Sequence, residues 1–387
     1  MIPYGRQDIS QADIDAVVAV LRSDYLTQGP VVPLFEKAVA AYCGTRHAVA
    51  VNSATSALHI ACLALDLGPG DWLWTSPNTF VASANSGLYC GAQVDFVDID
   101  PRTYNMSPQA LESKLLIAER EGRLPKVVMP VHLCGQPAEM QAIHALGQRF
   151  GFKIIEDASH AIGGKYQGEP IGNCQFSEIT VFSFHPVKII TTCEGGMALT
   201  NDPELADRMM RYRSHGITSD ASKMLPRRPD EIWNYQQITL GFNYRMTDVQ
   251  AALGLSQMAR LDEFVSKRHR IAQCYDDALK GLPLQTPWQH TDSYSSYHLY
   301  AIRFKLIAGE NTQRLVYNAL HASGINVNLH YIPVYRQPYF EAMGFKEGYC
   351  QEAEQYFREA LSVPMFPSMT EDNQMETLAA IRAAVAR

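Results

Sequence analysis

Apolar residues recur at helical spacing near the start of the chain and then gather into short runs separated by helical stretches. Ser10 is followed by Asp13 and by apolar residues at helical spacing as far as Leu21, a pattern that predicts a capped amphipathic helix. A second helix is predicted over residues 34–42. From residue 48 to about residue 200 the short apolar runs alternate with helical patterns, which is typical of an α/β fold with a largely parallel sheet covered on both faces. The predicted strands are 48–51, 72–75, 94–97, 127–131, 153–156 and 180–184.

The second part of the chain has a different pattern. A long helical pattern over residues 247–280 ends at a Gly-Leu-Pro sequence. The elements predicted beyond it are a strand at 297–304, a helix at 312–323, a strand at 325–330 and a final helix from Glu371. We therefore expect a large α/β domain over residues 1–255 and a smaller C-terminal α+β domain over residues 256–387.

Charge and cysteine usage narrow the class of protein. The 33 basic and 40 acidic residues give a formal net charge of −7, so no basic surplus points to a nucleic-acid partner. No apolar run approaches the roughly 18 residues of a membrane span, and the N-terminus lacks the pattern of a signal peptide. The eight cysteines include no C-x-x-C pair and are expected to be buried free thiols. These features predict a cytoplasmic protein with no membrane contact.

A run of small hydroxylated residues lies between a predicted strand and a predicted helix. The sequence Asn52-Ser53-Ala54-Thr55-Ser56 would place backbone N–H groups and hydroxyls at the positive end of that helix. Such a helix end suits a phosphate dianion. The same residues also fit an ordinary helix N-cap.

Two acidic residues end another predicted strand. Glu156 and Asp157 follow the apolar residues 152–155, and the carboxyl end of a strand is where open α/β sheets place their ligands. An ionised Asp157 could hold a protonated ring nitrogen and keep a bound aromatic cofactor electron-poor. A loop or capping acid is the alternative interpretation.

A single lysine interrupts the otherwise uncharged run at 182–192. A lysine among apolar side chains loses stabilisation of its charge, so the amine of Lys188 becomes available as a nucleophile and general base. This is the chemistry of a Schiff base. Taken alone, Lys188 also fits a side chain that extends its amine into water. The twelve histidines show no H-x-x-x-H or H-E-x-x-H arrangement, so no metal site is expected.

Five ordered blocks together resemble the DegT/DnrJ/EryC1/StrS family of sugar aminotransferases over essentially the whole chain. The blocks are NSATSALHIA at 52–61, SPNTFVASAN at 76–85, EDASHAIGG at 156–164, SFHPVKIITTCEGGM at 183–197 and GFNYRMTDVQAALG at 241–254. The resemblance implies a fold type I transferase that depends on pyridoxal 5'-phosphate (PLP). It also implies a large domain with a mostly parallel central sheet and a smaller C-terminal α+β domain.

The resemblance assigns roles around the cofactor. Lys188 would bind the cofactor covalently, and Asp157 would pair with its ring nitrogen. His160 would lie near the phenolic oxygen or the ring face, and Phe80 would stack on the ring. The phosphate would be bound by Ala54, Thr55 and Ser183 of one subunit and by Asn243 of the other, which makes a homodimer part of the active site.

Three further stretches resemble the branch of the family that aminates C4 of a UDP-linked 4-keto-6-deoxy-N-acetylhexosamine in pseudaminic acid biosynthesis. They are DYLTQGP at 24–30, RSHGI at 213–217 and NVNLHYIPVYRQPYF at 326–340. Glutamate would be the amino donor. The residues matching the nucleotide-sugar site are Tyr4, Tyr25, Leu26, Thr27, Ser56, His330 and Tyr331, of which Tyr4 and Tyr331 also fit simple packing aromatics.

Three alternatives remain at this point. The same chemistry on another UDP- or dTDP-keto sugar is the nearest. The dehydratase branch of the family carries histidine in place of the Schiff-base lysine, and Lys188 argues against it. A PLP-type fold used as a non-catalytic binding or regulatory module is the third, and the acidic charge balance argues against a DNA-binding version of it.

Overall fold

Helices and strands alternate along the first half of the chain, as its apolar runs predict. The protein was analysed as a computed structural model, which describes residues 1–226, 228, 230–231, 234–304 and 312–385. The helices are α1 (Gln11–Leu21), α2 (Val31–Cys43), α3 (Ala54–Ala64), α4 (Ala82–Tyr89), α5 (Pro108–Glu121), α6 (Met140–Phe150), α7 (Pro203–Arg213), α8 (Asp248–Met258), α9 (Leu261–Leu279), α10 (Thr312–Ala322), α11 (Pro338–Glu341), α12 (Gln351–Glu359) and α13 (Glu371–Val385). The strands are β1 (His47–Val51), β2 (Trp72–Thr75), β3 (Gln93–Phe96), β4 (Val127–Met129), β5 (Lys153–Asp157), β6 (Lys165–Tyr166), β7 (Glu169–Pro170), β8 (Ile179–Ser183), β9 (Gly196–Thr200), β10 (Ile217–Thr218), β11 (Gln236–Gln237), β12 (Leu284–Gln285), β13 (Ser293–Tyr294), β14 (Tyr300–Phe304) and β15 (Ala360–Val363).

The central sheet has seven strands in the order β1-β9-β8-β5-β4-β2-β3. Along this order, β8, β5, β4 and β2 each pair in parallel with the next strand. Strand β9 is antiparallel to both β1 and β8. The mostly parallel sheet of the expected fold type is therefore confirmed. The sequence did not predict β9, whose short run begins with Gly196. A Cβ atom at Gly196 would lie 2.5 Å from the backbone nitrogen of Ala54, so only glycine lets this strand approach the start of α3.

Both faces of the central sheet are buried under helices. Neighbouring residues of β8 show this, because successive side chains of a strand point to opposite faces. Phe182 packs into an apolar cluster with Phe35 of α2, whereas Val181 packs into a second cluster with Leu58 of α3. All four of these side chains are almost fully buried. The near-continuous apolar run of β8 follows from this double burial.

A third apolar cluster joins the C-terminal part of the chain. It contains residues of α9, β14, α10, β15 and α13, and the N-terminal residue Ile2 also packs into it. The strands β12, β14 and β15 form a small antiparallel sheet. The boundary expected near residue 255 stays a prediction.

Two predicted elements differ from the structure. The long helix expected over 247–280 is two helices, α8 and α9, separated at Ala259 and Arg260. Apolar residues continue at helical spacing through the break, because Ala251 of α8 and Leu261 and Phe264 of α9 pack into the same apolar cluster. The pattern alone therefore did not reveal the break. The strand predicted at 325–330 does not form: Ile325 bridges to Ile2 and Asn328 bridges to Ser362, so no single partner strand supports a ladder.

The cysteines follow the expected burial only in part. Cys43, Cys62, Cys174 and Cys350 are buried, but Cys193 and Cys274 are exposed, so the expectation was wrong for these two. Cys193 lies in an irregular loop, and Cys274 lies on the outer face of α9. The residues next to them in sequence do not indicate that either side chain is exposed. Within the described residues, no helix combines the length and apolar character needed to cross a bilayer.

Candidate active site

A cavity of about 690 Å³ opens where β5 and β8 end and α3 begins. This is the carboxyl edge of parallel strands, where ligands of open α/β sheets bind. Asp157 is the last residue of β5 and Ser183 the last residue of β8. The predicted site residues that line the cavity are Tyr4, Ala54, Thr55, Phe80, Asp157, His160, Ser183, Lys188, His330 and Tyr331.

The first turn of α3 borders the cavity with unpaired donors. Ser53 caps the helix by accepting a hydrogen bond from the backbone N–H of Ser56 at 3.1 Å, so the N-cap interpretation of this block is correct. The backbone N–H groups of Ala54 and Thr55 have no acceptor among the residues that the structure describes. A capped helix end with two free N–H groups fits an anion, because the helix dipole adds positive potential there.

Lys188 lies in the loop between β8 and β9 and faces the cavity. Its backbone N–H donates to the carbonyl of His185 at 2.9 Å, which forms a turn at this point. Burial lowers the pKa of Lys188 to about 8, and the Asp157 carboxylate acts in the opposite direction. A substantial fraction of the amine is therefore neutral, and hence nucleophilic, near pH 8.

The Asp157 carboxylate is held by serine side chains on both oxygens. Ser159 donates to Oδ1 through its backbone N–H at 3.1 Å and its hydroxyl at 2.6 Å. The hydroxyl of Ser83 donates to Oδ2 at 2.6 Å. Because all of these groups donate, the carboxylate acts as an acceptor and is oriented before any ligand binds.

Three buried histidines line the same cavity as Lys188. Burial lowers the pKa of His160, His298 and His330, and the charge of Lys188 lowers each of them further. For His330 the pKa falls to about 3. These imidazoles are neutral at physiological pH, so they act in the cavity as hydrogen-bonding groups rather than as cations.

The hydrogen bonds of His160 fix its tautomer. Its Nδ1 accepts from the backbone N–H of Cys134 at 3.3 Å, so the neutral ring carries its proton on Nε2. Nε2 lies 3.3 Å from the hydroxyl oxygen of Tyr331. His160 therefore donates to Tyr331, and the tyrosine proton is left to bond a molecule in the cavity.

Five predicted site residues do not line this cavity within one chain. Tyr25, Leu26 and Thr27 are exposed, and Thr27 bridges to Thr247. Asn243 is also exposed, whereas Ser56 is buried and donates its hydroxyl to Asn52 at 2.7 Å. Their predicted roles at the substrate and at the phosphate stay predictions.

The structure also places residues in the cavity wall that the sequence analysis did not single out. They include Thr79, Ser159, Glu194, His298 and Gln337. The rings of His298 and His160 pack with their centroids 4.4 Å apart. Thr79, Ser159 and Glu194 fall inside the matched blocks, which could have marked them, but His298 precedes β14 far from any block and carries no such signal.

A partly buried lysine of lowered pKa, a carboxylate with a free acceptor position and a helix N-terminus around one cavity are the features of a PLP-dependent transferase of fold type I. A family model confirms this class: residues 7–382 match the DegT/DnrJ/EryC1/StrS aminotransferase family. The chain belongs to this family. It is therefore a PLP-dependent sugar aminotransferase, as its block pattern predicts.

Individual relatives match over nearly the full length. The chain is 38% identical over 387 residues to the spore coat polysaccharide biosynthesis protein SpsC of Bacillus subtilis, with 99% of this chain and 97% of that protein covered. It is 36% identical to the UDP-4-amino-4,6-dideoxy-N-acetyl-beta-L-altrosamine transaminase of Campylobacter jejuni, covering 95% and 93% of the two chains. Helicobacter pylori PseC, an aminotransferase involved in the biosynthesis of pseudoaminic acid, has a similar structure with a TM-score of 0.89 at 31% identity, covering 100% and 99%.

The residues present fit the cofactor of this family. The unpaired N–H groups of Ala54 and Thr55 suit its phosphate, and the remaining acceptor position on Asp157 suits a protonated ring nitrogen. The amine of Lys188 lies on the same cavity.

Proposed function

We propose that the protein transfers an amino group from glutamate to C4 of a UDP-linked 4-keto-6-deoxy-N-acetylhexosamine. The observation that carries the proposal is the amine of Lys188, whose pKa is lowered to about 8 on the cavity that also presents Asp157. The substrate is supported by the similarity to the Campylobacter transaminase and by the resemblance of residues 24–30 and 326–340 to that branch of the family.

Each residue of the cavity would have a separate role in the reaction. When bound, PLP supplies an electron sink for the carbanion left when a carbon next to nitrogen loses its proton. Lys188 Nζ takes the proton from the α-carbon of the amino acid and, in the second half-reaction, delivers a proton to the sugar carbon. Asp157 keeps the ring nitrogen protonated. The neutral His160 and the Tyr331 hydroxyl orient the reacting groups without adding charge.

The partner subunit would complete the site. Two contacts hold residues 25–27 against residues 247–248. Thr27 forms a β-bridge with Thr247, and the Asp248 N–H donates to the Leu26 carbonyl at 3.0 Å. Tyr25, Leu26, Thr27 and Asn243 are exposed and lie outside the cavity of their own chain. In a homodimer they would reach the cavity of the other subunit, with Asn243 at its phosphate.

A second sugar class has its own support. The Bacillus relative, named for spore coat polysaccharide biosynthesis, is at 38% identity as similar as the Campylobacter transaminase at 36%. The alternative is therefore the same reaction on another UDP- or dTDP-keto sugar.

One experiment separates these substrates. The purified protein with PLP and glutamate is given a panel of UDP- and dTDP-linked keto sugars, and the product is identified by NMR, including its configuration. Amination of the UDP-linked 4-keto-N-acetyl sugar, with 2-oxoglutarate formed in equal amount, is the expected result. Turnover of a different sugar only would replace the substrate but keep the reaction. No turnover of any sugar, together with the absence of a visible band with PLP, would exclude the proposed reaction.

A further inference from the structure

With the contacts of the described residues in place, the carboxylate of Asp157 keeps one acceptor position for a ligand. Each carboxylate oxygen has two lone pairs. Oδ1 accepts twice from Ser159, so the protein occupies both of its positions. Oδ2 accepts once, from Ser83, and keeps one position free. Oδ2 is therefore the oxygen that remains for a molecule in the cavity, and Ser83 is the residue that orients this same oxygen.

A second hydroxyl supports Ser83, and the direction of the hydrogen bonds can be assigned. The oxygens of Thr79 and Ser83 are 2.7 Å apart, and either hydroxyl could donate. Ser83 has a single proton, and a bond to a charged carboxylate at 2.6 Å is stronger than one to a neutral hydroxyl. Ser83 therefore donates to Asp157, which leaves Thr79 as the donor to Ser83.

These contacts link α4 to the cofactor site through buried groups. Ser83 is fully buried, Thr79 is 3% exposed, and Asp157 is 4% exposed. Thr79 lines the cavity, but Ser83 does not. Ser83 therefore acts on a bound molecule through the groups it bonds, and the charged one of these is Asp157.

We propose that Ser83 is a positioning residue of the cofactor site, which holds Oδ2 of Asp157 toward a protonated aromatic ring nitrogen, and that Thr79 orients Ser83. The proposal rests on the role given to Asp157 in the proposed function. Without the Ser83 hydroxyl, Oδ2 would have no hydrogen-bond donor among the residues that the structure describes, and the carboxylate could rotate away from the ligand. Ligand binding would then include the entropic cost of ordering the carboxylate, which Ser83 orders before the ligand binds.

The test uses the full-length protein with PLP and three variants at Ser83. Ser83→Ala removes the donor, Ser83→Cys fills the same space with a weak donor, and Ser83→Thr keeps the hydroxyl. We expect PLP affinity, measured by titration of the visible absorption band, to fall about tenfold or more in the Ala and Cys variants and to stay within about twofold in the Thr variant. Thr79→Val should give a smaller loss, since Ser83 still reaches Asp157.

A spectroscopic signature distinguishes positioning from a general structural role. If Asp157 is poorly held, the ring nitrogen of the cofactor carries less positive charge. The pKa of the other nitrogen, which joins the cofactor to Lys188, then rises. The pH midpoint of the visible band should therefore move upward in Ser83→Ala and return in Ser83→Thr. Ser86→Ala is the matched control, because Ser86 is buried on the same helix and donates to the Ser83 carbonyl at 2.8 Å but does not contact Asp157.

The outcomes are distinct. Unchanged affinity and an unchanged pH midpoint in both Ser83→Ala and Ser83→Cys would overturn the positioning role while the proposed function stands. An equal loss in Ser86→Ala would also overturn it, because the effect would then be one of helix packing. If the wild-type protein shows no visible band after PLP addition, that result would instead contradict the proposed function itself.

Discussion

Lys188 faces Asp157 across one cavity, and burial and this carboxylate act in opposite directions on its amine. Burial has the larger effect and lowers the pKa of Lys188 to about 8. The arrangement keeps an uncharged amine available while an opposite charge lies close by. Such a balance is typical of residues that must be both nucleophile and base.

We predict that the amine of Lys188 becomes reactive at an unusually low pH. In the apoprotein, trapping of a small aliphatic aldehyde on Lys188 with borohydride should be half-maximal near pH 8, because the protonated amine does not react. Peptide mapping identifies the labelled lysine. Asp157→Asn should move the midpoint to lower pH, since the carboxylate raises the pKa of Lys188. A wild-type midpoint near the ordinary lysine value of 10.5 would contradict the desolvated environment.

We predict that Lys188→Met stabilises the apoprotein at pH 7 by about 1–3 kcal/mol, because a desolvated ammonium is replaced by an apolar side chain of similar shape. The pKa of Lys188 is lower in the folded state, so between about pH 8 and pH 10.5 the unfolded chain binds more protons and wild-type stability rises with pH. The advantage of the variant should shrink over the same interval. Urea unfolding at several pH values measures both effects. The exposed Lys37→Met is the control and should change little.

Asp248 should be a major stability determinant, although it does not line the cavity. Its fully buried carboxylate accepts from the backbone N–H groups of Gly29, Val31 and Val32 at 2.7, 2.8 and 3.1 Å, and so joins α8 to the start of α2. Asp248→Ala leaves these donors without a partner, and we expect a loss of about 2–4 kcal/mol in urea unfolding. Asp202→Ala, at the exposed N-cap of α7, should cost only about 1 kcal/mol. Equal losses in the two variants would argue against the tertiary contact.

Cys193 occupies a backbone conformation that favours glycine. Its φ is 67°, and its side chain is exposed, so replacement by glycine removes strain without leaving a cavity. We expect Cys193→Gly to raise the free energy of unfolding by about 0.5–1 kcal/mol. Cys274→Gly, at an exposed position inside α9, should lower it by a similar amount. If both variants shift the thermal midpoint in the same direction, the backbone argument is wrong.

A mixing experiment tests whether the site is shared between subunits. Lys188→Ala and Asn243→Ala should each have little activity as homodimers. In a mixed dimer with Asn243 supplied across the interface, one site carries both substitutions and the other carries neither. After subunit exchange in equal amounts, about a quarter of the sites should be intact. Activity that does not rise on mixing would place Asn243 and Lys188 of one chain in the same site.

Much of the fold and of the cofactor site could be predicted from local sequence. The capping box at Ser10 and Asp13, the strand ending at Asp157 and the uncharged run around Lys188 each depend on neighbours within a few residues, and periodicity reports such neighbours directly. The largely parallel character of the sheet also follows, because strands that alternate with helices pair in parallel.

Tertiary structure alone decided how distant segments meet. The packing of α8 on α1 and α2 joins distant parts of the chain, and the Asp248 contact with Gly29 spans 219 positions of sequence. The position of His298 beside His160 and the bond from Ser83 to Asp157 depend on the same long-range packing. A sequence pattern indicates which side chains of a segment are buried. The free energy of burying them depends mainly on the apolar area removed from water and only weakly on which surface covers them. The choice of partner, and with it the supporting residues of the site, is made only when the whole chain packs.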